Sequence, residues 1–203
     1  MRTIFVLVFV ALCGTEFATA QVKSDSEYAR LLAQVKSGDM KVDFKKMRLA
    51  YMDSPEYKAA KDTDAEAEAM IAGINAGDFP AAIKNADVVL ANNYVDLDAH
   101  FAEYIAHREL HQDAESRFHK DVFDGLLHSI TDSGDGKTEQ TAFVVIQTHE
   151  EYVVMRIFGL ALNKQSLRKA NHHSYDVIDA TDQRSNQKVT LYFNVDIPIK
   201  HYQ

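Results

Sequence analysis

"SYDVIDATDQRSNQKVTLYFNVDI", residues 174–197, decides the fold. In its second half Val189, Leu191, Phe193 and Val195 share one face, and Thr190, Tyr192, Asn194 and Asp196 share the other. That period of two belongs to a strand with one buried side. In the first half Val177 and Asp179 face one way while Asp176 and Ile178 face the other. The polar "QRSN" joins the two runs, and Pro198 ends the second, as proline does at a strand margin. Upstream, "TAFVVIQ" at 141–147 is rich in β-branched and aromatic residues and reads as a buried strand. Next comes "THEEYVVMRIFGL", 148–160, where Thr148 and Glu151 have the spacing of a capping box. The spacing predicts a helix to about Phe158, stopped by Gly159. Val153, Met155 and Ile157 also alternate, so a strand remains an alternative there.

Residues 25–130 have a different period. Tyr28, Leu31, Leu32 and Val35, then Phe44, Met47, Leu49 and Tyr51, recur at helical steps, and Pro55 in "DSPEY" interrupts them. Further helical stretches cover 65–76, 79–91, 96–110 and 114–130, joined by the short "AGDF", "NNY" and "HQD". Short joints imply antiparallel neighbours. "QVKSGD" at 34–39 is echoed by "GINAGD" at 73–78, and 34 residues beyond Gly77 lies the next joint, at His111. With small residues at Ala72, Ala81, Ala82 and Ala102, this resembles a tetratricopeptide repeat; a plain bundle is the alternative. The expected architecture is α+β: N-terminal tetratricopeptide-like antiparallel helices over residues 21–131, packed with an α/β region at 132–203 that contains an antiparallel sheet.

The chain of 203 residues opens with Arg2, a nine-residue apolar run from Ile4 to Leu12, and the small-x-small end Ala18–Ala20. That layout predicts a signal peptide over residues 1–20 and a secreted or periplasmic product. Leu12 before Cys13 fits a lipoprotein cleavage pocket poorly, and cleavage after Ala20 removes the only cysteine, so no disulfide or thiolate site is expected. No transmembrane segment is expected, since spanning a bilayer takes about 20 apolar residues. The net charge of -8, without a basic run, excludes nucleic acid as a partner.

Four places could carry chemistry. "SITDSGDGKT", 129–138, ends like a phosphate-binding loop, but Thr131 stands where the first glycine belongs and a helix precedes it. Fitted to a calcium loop, it has Ala142 at the closing acidic position, so it reads as a turn. His100, Glu103, His107 and His111 follow at steps of three, four and four along one helix face. Imidazole and carboxylate there could hold zinc or copper, but the face lies opposite Phe101 and Ile105 and is expected to be solvated. In "NHHSYDVID", 171–179, His173 is the candidate base or hydrogen-bonding group, with Asp176 and Asp179 as its partners and Asn194 on the facing strand to orient it. A polar network without catalysis explains the same residues. Tyr57, Tyr94 and Tyr104 are candidate exposed anchors for a partner.

The chain also resembles the bacterial proteins grouped as domain of unknown function 4919. The matching pieces are "DFKKMRLAYMDSPEY" (43–57), "NNYVDLDAHF" (92–101), "SGDGKT" (133–138), "EEYVVMRIFGL" (150–160), "HSYDVIDATD" (173–182) and "LYFNVD" (191–196). The resemblance implies a secreted or envelope-associated protein and brings no catalytic residue. The leading expectation is a non-catalytic module that binds a protein or peptide partner without a cofactor. The alternative is a small hydrolase or metal-dependent enzyme using His173, Asp176, Asp179 and Asn194.

Overall fold

A computed structural model describes residues 26–201. The chain runs α1 (Glu27–Lys36), α2 (Phe44–Met52), α3 (Pro55–Ala59), α4 (Asp64–Ala76), α5 (Phe79–Asn92), α6 (Leu97–Glu109) and α7 (Asp113–Thr131). A 3-10 turn at Glu139–Thr141 then leads to β1 (Phe143–Val144), α8 (His149–Phe158), β2 (Leu160–Ala170), β3 (His173–Asp182), β4 (Lys188–Asn194) and α9 (Asp196–His201). Helices thus precede a sheet, the α+β order. Short polar side chains start the helices: Ser26, Asp43, Ser54, Asp78 and Asp96 each accept a backbone N–H three residues on, at 2.8–3.2 Å. Gly38 (φ 89°) and Gly77 (φ 73°), the glycines of the sequence echo, both follow a helix end in the left-handed region. Gly73 lets α4 and α5 approach closely, since a Cβ there would sit 3.0 Å from the Ala82 backbone nitrogen.

The sheet order is β1-β4-β3-β2. β2, β3 and β4 are antiparallel, but β1 pairs with β4 in parallel, so the sheet is mixed rather than purely antiparallel. Of the strand expected at 141–147, only Phe143 and Val144 join the sheet. Ala142, Val145 and Ile146 are buried as connecting chain. β2 carries no apolar alternation in "LALNKQSLRKA", because it is an edge strand with mostly exposed side chains. Ile178, Ala180, Leu191 and Phe193 cover the inner face of the sheet. One continuous core joins them to Val153 and Val154 of α8, to Val122, Leu126 and Ile130 of α7, and to Tyr28 and Met47.

The expected capping box at Thr148 does not form: Thr148 makes no side-chain cap, and both acidic residues that follow turn inward. Glu150 receives Arg48 through Nε at 3.1 Å and Nη2 at 2.5 Å, and also accepts the Ile146 N–H at 2.8 Å. Arg48 further donates to Ser129 Oγ at 3.0 Å and to the Val144 carbonyl at 3.4 Å. Arg48 and Glu150 are both almost wholly buried, so this one pair ties α2, α7, β1 and α8 together. Glu151 turns toward β2 and β3 instead. Gln165 Nε2 donates to Glu151 Oε2 at 3.2 Å and to Asp176 Oδ2 at 2.8 Å.

Candidate metal centre between helices α6 and α7

Asp96 caps α6 and starts its register. From there His100, Glu103 and His107 climb one face at helical steps. That face is not solvated, contrary to the reading from periodicity: His100 is 0% and Glu103 1% exposed. The reason is that α6 packs against both α5 and α7. Ala99, Ala102 and Ala106 are buried beside the polar pair, and small residues allow close packing on two sides. The chain reverses at the 110–112 joint, and α7 returns along α6. Ser116 Oγ then reaches the Tyr104 carbonyl at 3.1 Å, and His119 Nδ1 lies 3.0 Å from His100 Nδ1.

Hydrogen bonds assign the tautomers. His100 Nε2 lies 3.0 Å from the Tyr94 carbonyl, which only accepts, so His100 carries its proton there. His100 Nδ1 is then a lone pair, and His119 Nδ1–H donates to it. The lone pair of His119 is therefore on Nε2. His107 Nδ1 lies 2.5 Å from Gln112 Oε1 and donates to it, which leaves the His107 Nε2 lone pair 2.9 Å from Glu103 Oε2. Burial, followed by the adjoining imidazole, lowers His100 to about 3 and His119 to about 4, so both rings are neutral. Burial, then the negative charge of Asp87, raises Glu103 to about 8. That direction favours the protonated carboxyl at neutral pH, with Oε2 set 2.9 Å from His107 Nε2. The other oxygen, Oε1, is buried without a hydrogen-bond partner among the described residues.

Ligand atoms of Glu103, His107 and His119 lie within 4.8 Å of one another. Donors around a tetrahedral ion at zinc-ligand distances sit about 3.4 Å apart, so the three groups would draw together around an ion. Each imidazole also has its second nitrogen held, His107 by Gln112 and His119 by the His100–Tyr94 relay. Metal-binding histidines are oriented in this way. Of the residues expected from sequence, Glu103 and His107 take part, whereas His100 stands behind His119 as its orienting partner. His111 is exposed at the helix end, with φ 58°. His119 was missed; folding the chain back at the 110–112 joint would have brought it opposite the α6 histidines.

The other candidates are dispersed. His173 Nδ1 donates to Asp196 Oδ2 at 2.5 Å on the outer face of the sheet. Asp176 lies on the opposite face, under α8 beside Glu151. Asp179 accepts Thr190 Oγ1 at 2.8 Å, further along the strand pair. Asn194 Oδ1 accepts the Asp196 N–H at 3.1 Å. Strand alternation puts Asp176 on the other face and distance along β3 removes Asp179, so the four expected residues do not form one site, although His173 and Asn194 stay together through Asp196. The three tyrosines are half-buried, not exposed anchors. Tyr57 packs edge-on against Tyr51 and His201, Tyr94 against His100 and Tyr104 against Phe101. Burial, then the negative charge of Glu103, raises Tyr94 to about 12. The 129–138 stretch is a turn whose amides serve itself: Gly136 N–H donates to the Thr141 carbonyl at 2.7 Å, and Lys137 N–H to Asp135 at 3.1 Å. Among the described residues no helix is long and apolar enough to cross a membrane.

The family model described as a domain of unknown function (DUF4919) matches residues 18–203. No curated protein and no solved structure matches the chain.

Proposed function

For a chain that belongs to the DUF4919 family, a domain of unknown function, we propose a role in binding a divalent transition metal through Glu103, His107 and His119. One observation carries the reading: ligand atoms of Glu103, His107 and His119 gather within 4.8 Å between α6 and α7, and Glu103 keeps a buried oxygen without a partner among the described residues. Two nitrogens and one oxygen suit zinc or copper(II), and three protein ligands leave a position for water or an incoming ligand. The small-x-small end after the Ile4–Leu12 run supports an extracytoplasmic setting for this binding.

The test is thermal unfolding with and without ZnCl2, on the full chain and on His107→Ala and His119→Ala. An ion at 100 times its dissociation constant stabilises the folded state by about 2.7 kcal/mol. The parent is expected to show that stabilisation and both variants to lose it, while His111→Ala, altered outside the cluster, keeps it. Equal stabilisation of the parent and the two variants refutes the site.

A second reading, binding of a protein or peptide partner, draws on β2. Leu162 and Leu167 of this edge strand are 47% and 57% exposed. Lys164, Arg168 and Lys169 on the same strand favour an acidic, extended segment. An acidic strand peptide that leaves amide exchange along residues 160–170 unchanged counts against it.

A further inference from the structure

A second feature lies on the outer face of the sheet, built from other elements than the metal cluster. The chain linking α7 to β1 and the 3-10 turn lie beside the β2–β3 hairpin and β4, leaving a cleft of about 450 Å³. That volume falls within the usual range for small-molecule sites. Glu139, His173, Tyr175 and Asn194 line it.

The polar groups of these four residues are only half used. His173 Nδ1 is held by Asp196 Oδ2, and Asp196 Oδ1 is itself anchored by the Ser174 N–H at 2.7 Å. In the neutral ring this fixes the tautomer and leaves Nε2 as an acceptor. Asn194 uses its oxygen on the Asp196 N–H and turns its NH2 partly toward the Asp196 carboxylate, which leaves one N–H as a donor. Arg168 Nε occupies one oxygen of Glu139 at 2.9 Å, and the other oxygen remains an acceptor. Tyr175 is 5% exposed, and its hydroxyl has no hydrogen-bond partner among the described residues. The ring is buried, but the hydroxyl reaches solvent, and the cleft that Tyr175 lines is where a ligand would meet it.

We propose that this cleft binds a small neutral polyhydroxylated ligand, a sugar unit. Donors (Tyr175 O–H, one Asn194 N–H) alternate with acceptors (His173 Nε2, the free Glu139 oxygen), and a sugar hydroxyl answers either kind. An apolar ligand would leave all four unpaired. An anion would meet the carboxylates of Glu139 and Asp196. Their combined charge is already felt at Tyr175, whose hydroxyl is pushed above its ordinary pKa by burial first and then by Glu139 and Asp196.

The test is a titration of the full chain with N-acetylglucosamine and, separately, with inorganic phosphate, followed by the ring NMR signals of His173 and Tyr175. A sugar bound by a handful of hydrogen bonds is expected to give saturable shifts in the range of about 1–10 mM. Tyr175→Phe removes only the unpaired hydroxyl, so it keeps the parent melting temperature and weakens binding about fivefold or more. His173→Gln, altered at an exposed position, serves as the second variant and also weakens binding. The proposal is overturned if the sugar causes no shift up to about 50 mM, if phosphate binds as well, or if both variants bind like the parent.

Discussion

Replacing Glu151 by glutamine isolates one buried proton. Glu151 is 0% exposed and lies beside Asp176, with Gln165 donating to both carboxyl groups. Burial, then the neighbouring Asp176 carboxylate, raises its pKa from 4.5 to about 9. Between those two values the folded chain keeps a proton that the unfolded chain has released. Unfolding therefore releases a proton, and stability falls as pH rises through this window, then levels off above about 9. The limiting slope is about 1.4 kcal/mol per pH unit. With the folded value near 9, the expected loss between pH 5 and pH 8 is about 4 kcal/mol. Glutamine has no proton to lose and resembles the neutral acid in shape. The measurement is urea unfolding of the parent and Glu151→Gln at pH 5, 6, 7 and 8. The free-energy difference, variant minus parent, should grow by that amount across the series. His100 and His119, lowered to about 3 and about 4, act with the opposite sign at lower pH, but they are common to both proteins and cancel. A difference that stays flat or shrinks with pH refutes the reasoning.

Arg48→Met should cost about 3–5 kcal/mol in chemical denaturation, because it leaves the Glu150 carboxylate buried without its partner; adding Glu150→Met should recover most of that loss. If the double variant is no better than the single one, the cost is packing rather than charge. Gly134→Ala should destabilise by about 1–3 kcal/mol, since a Cβ there would lie 2.2 Å from the Thr141 carbonyl oxygen. An unchanged denaturation midpoint would mean that the link between α7 and β1 yields freely.

Features governed by a few neighbouring residues were legible before any coordinates. The alternation of Val189, Leu191 and Phe193 placed the inner face of β4, and Gly159, at φ 70°, ends α8 where its lack of a Cβ permits. Asp96 and Asp78 mark helix starts by accepting amides three residues away. The same local logic failed at Thr148–Glu151, where the spacing of a capping box was present but Glu150 and Glu151 had distant partners. It failed again along β2, whose exposed side chains carry no hydrophobic period.

The amino-acid order alone determined the helix-then-sheet division, most element boundaries and the family, because steric limits on φ and the periods of helix and strand act over a few residues. Tertiary structure decided which polar groups were buried and what they met: Arg48 with Glu150, 102 residues apart, His100 with His119 across a reversal, and Glu151 beside Asp176. Burial and charge proximity depend on distance in space. Only the packing of α6 between α5 and α7 turned a face read as solvated into a dry cluster with neutral imidazoles and a carboxyl of raised pKa.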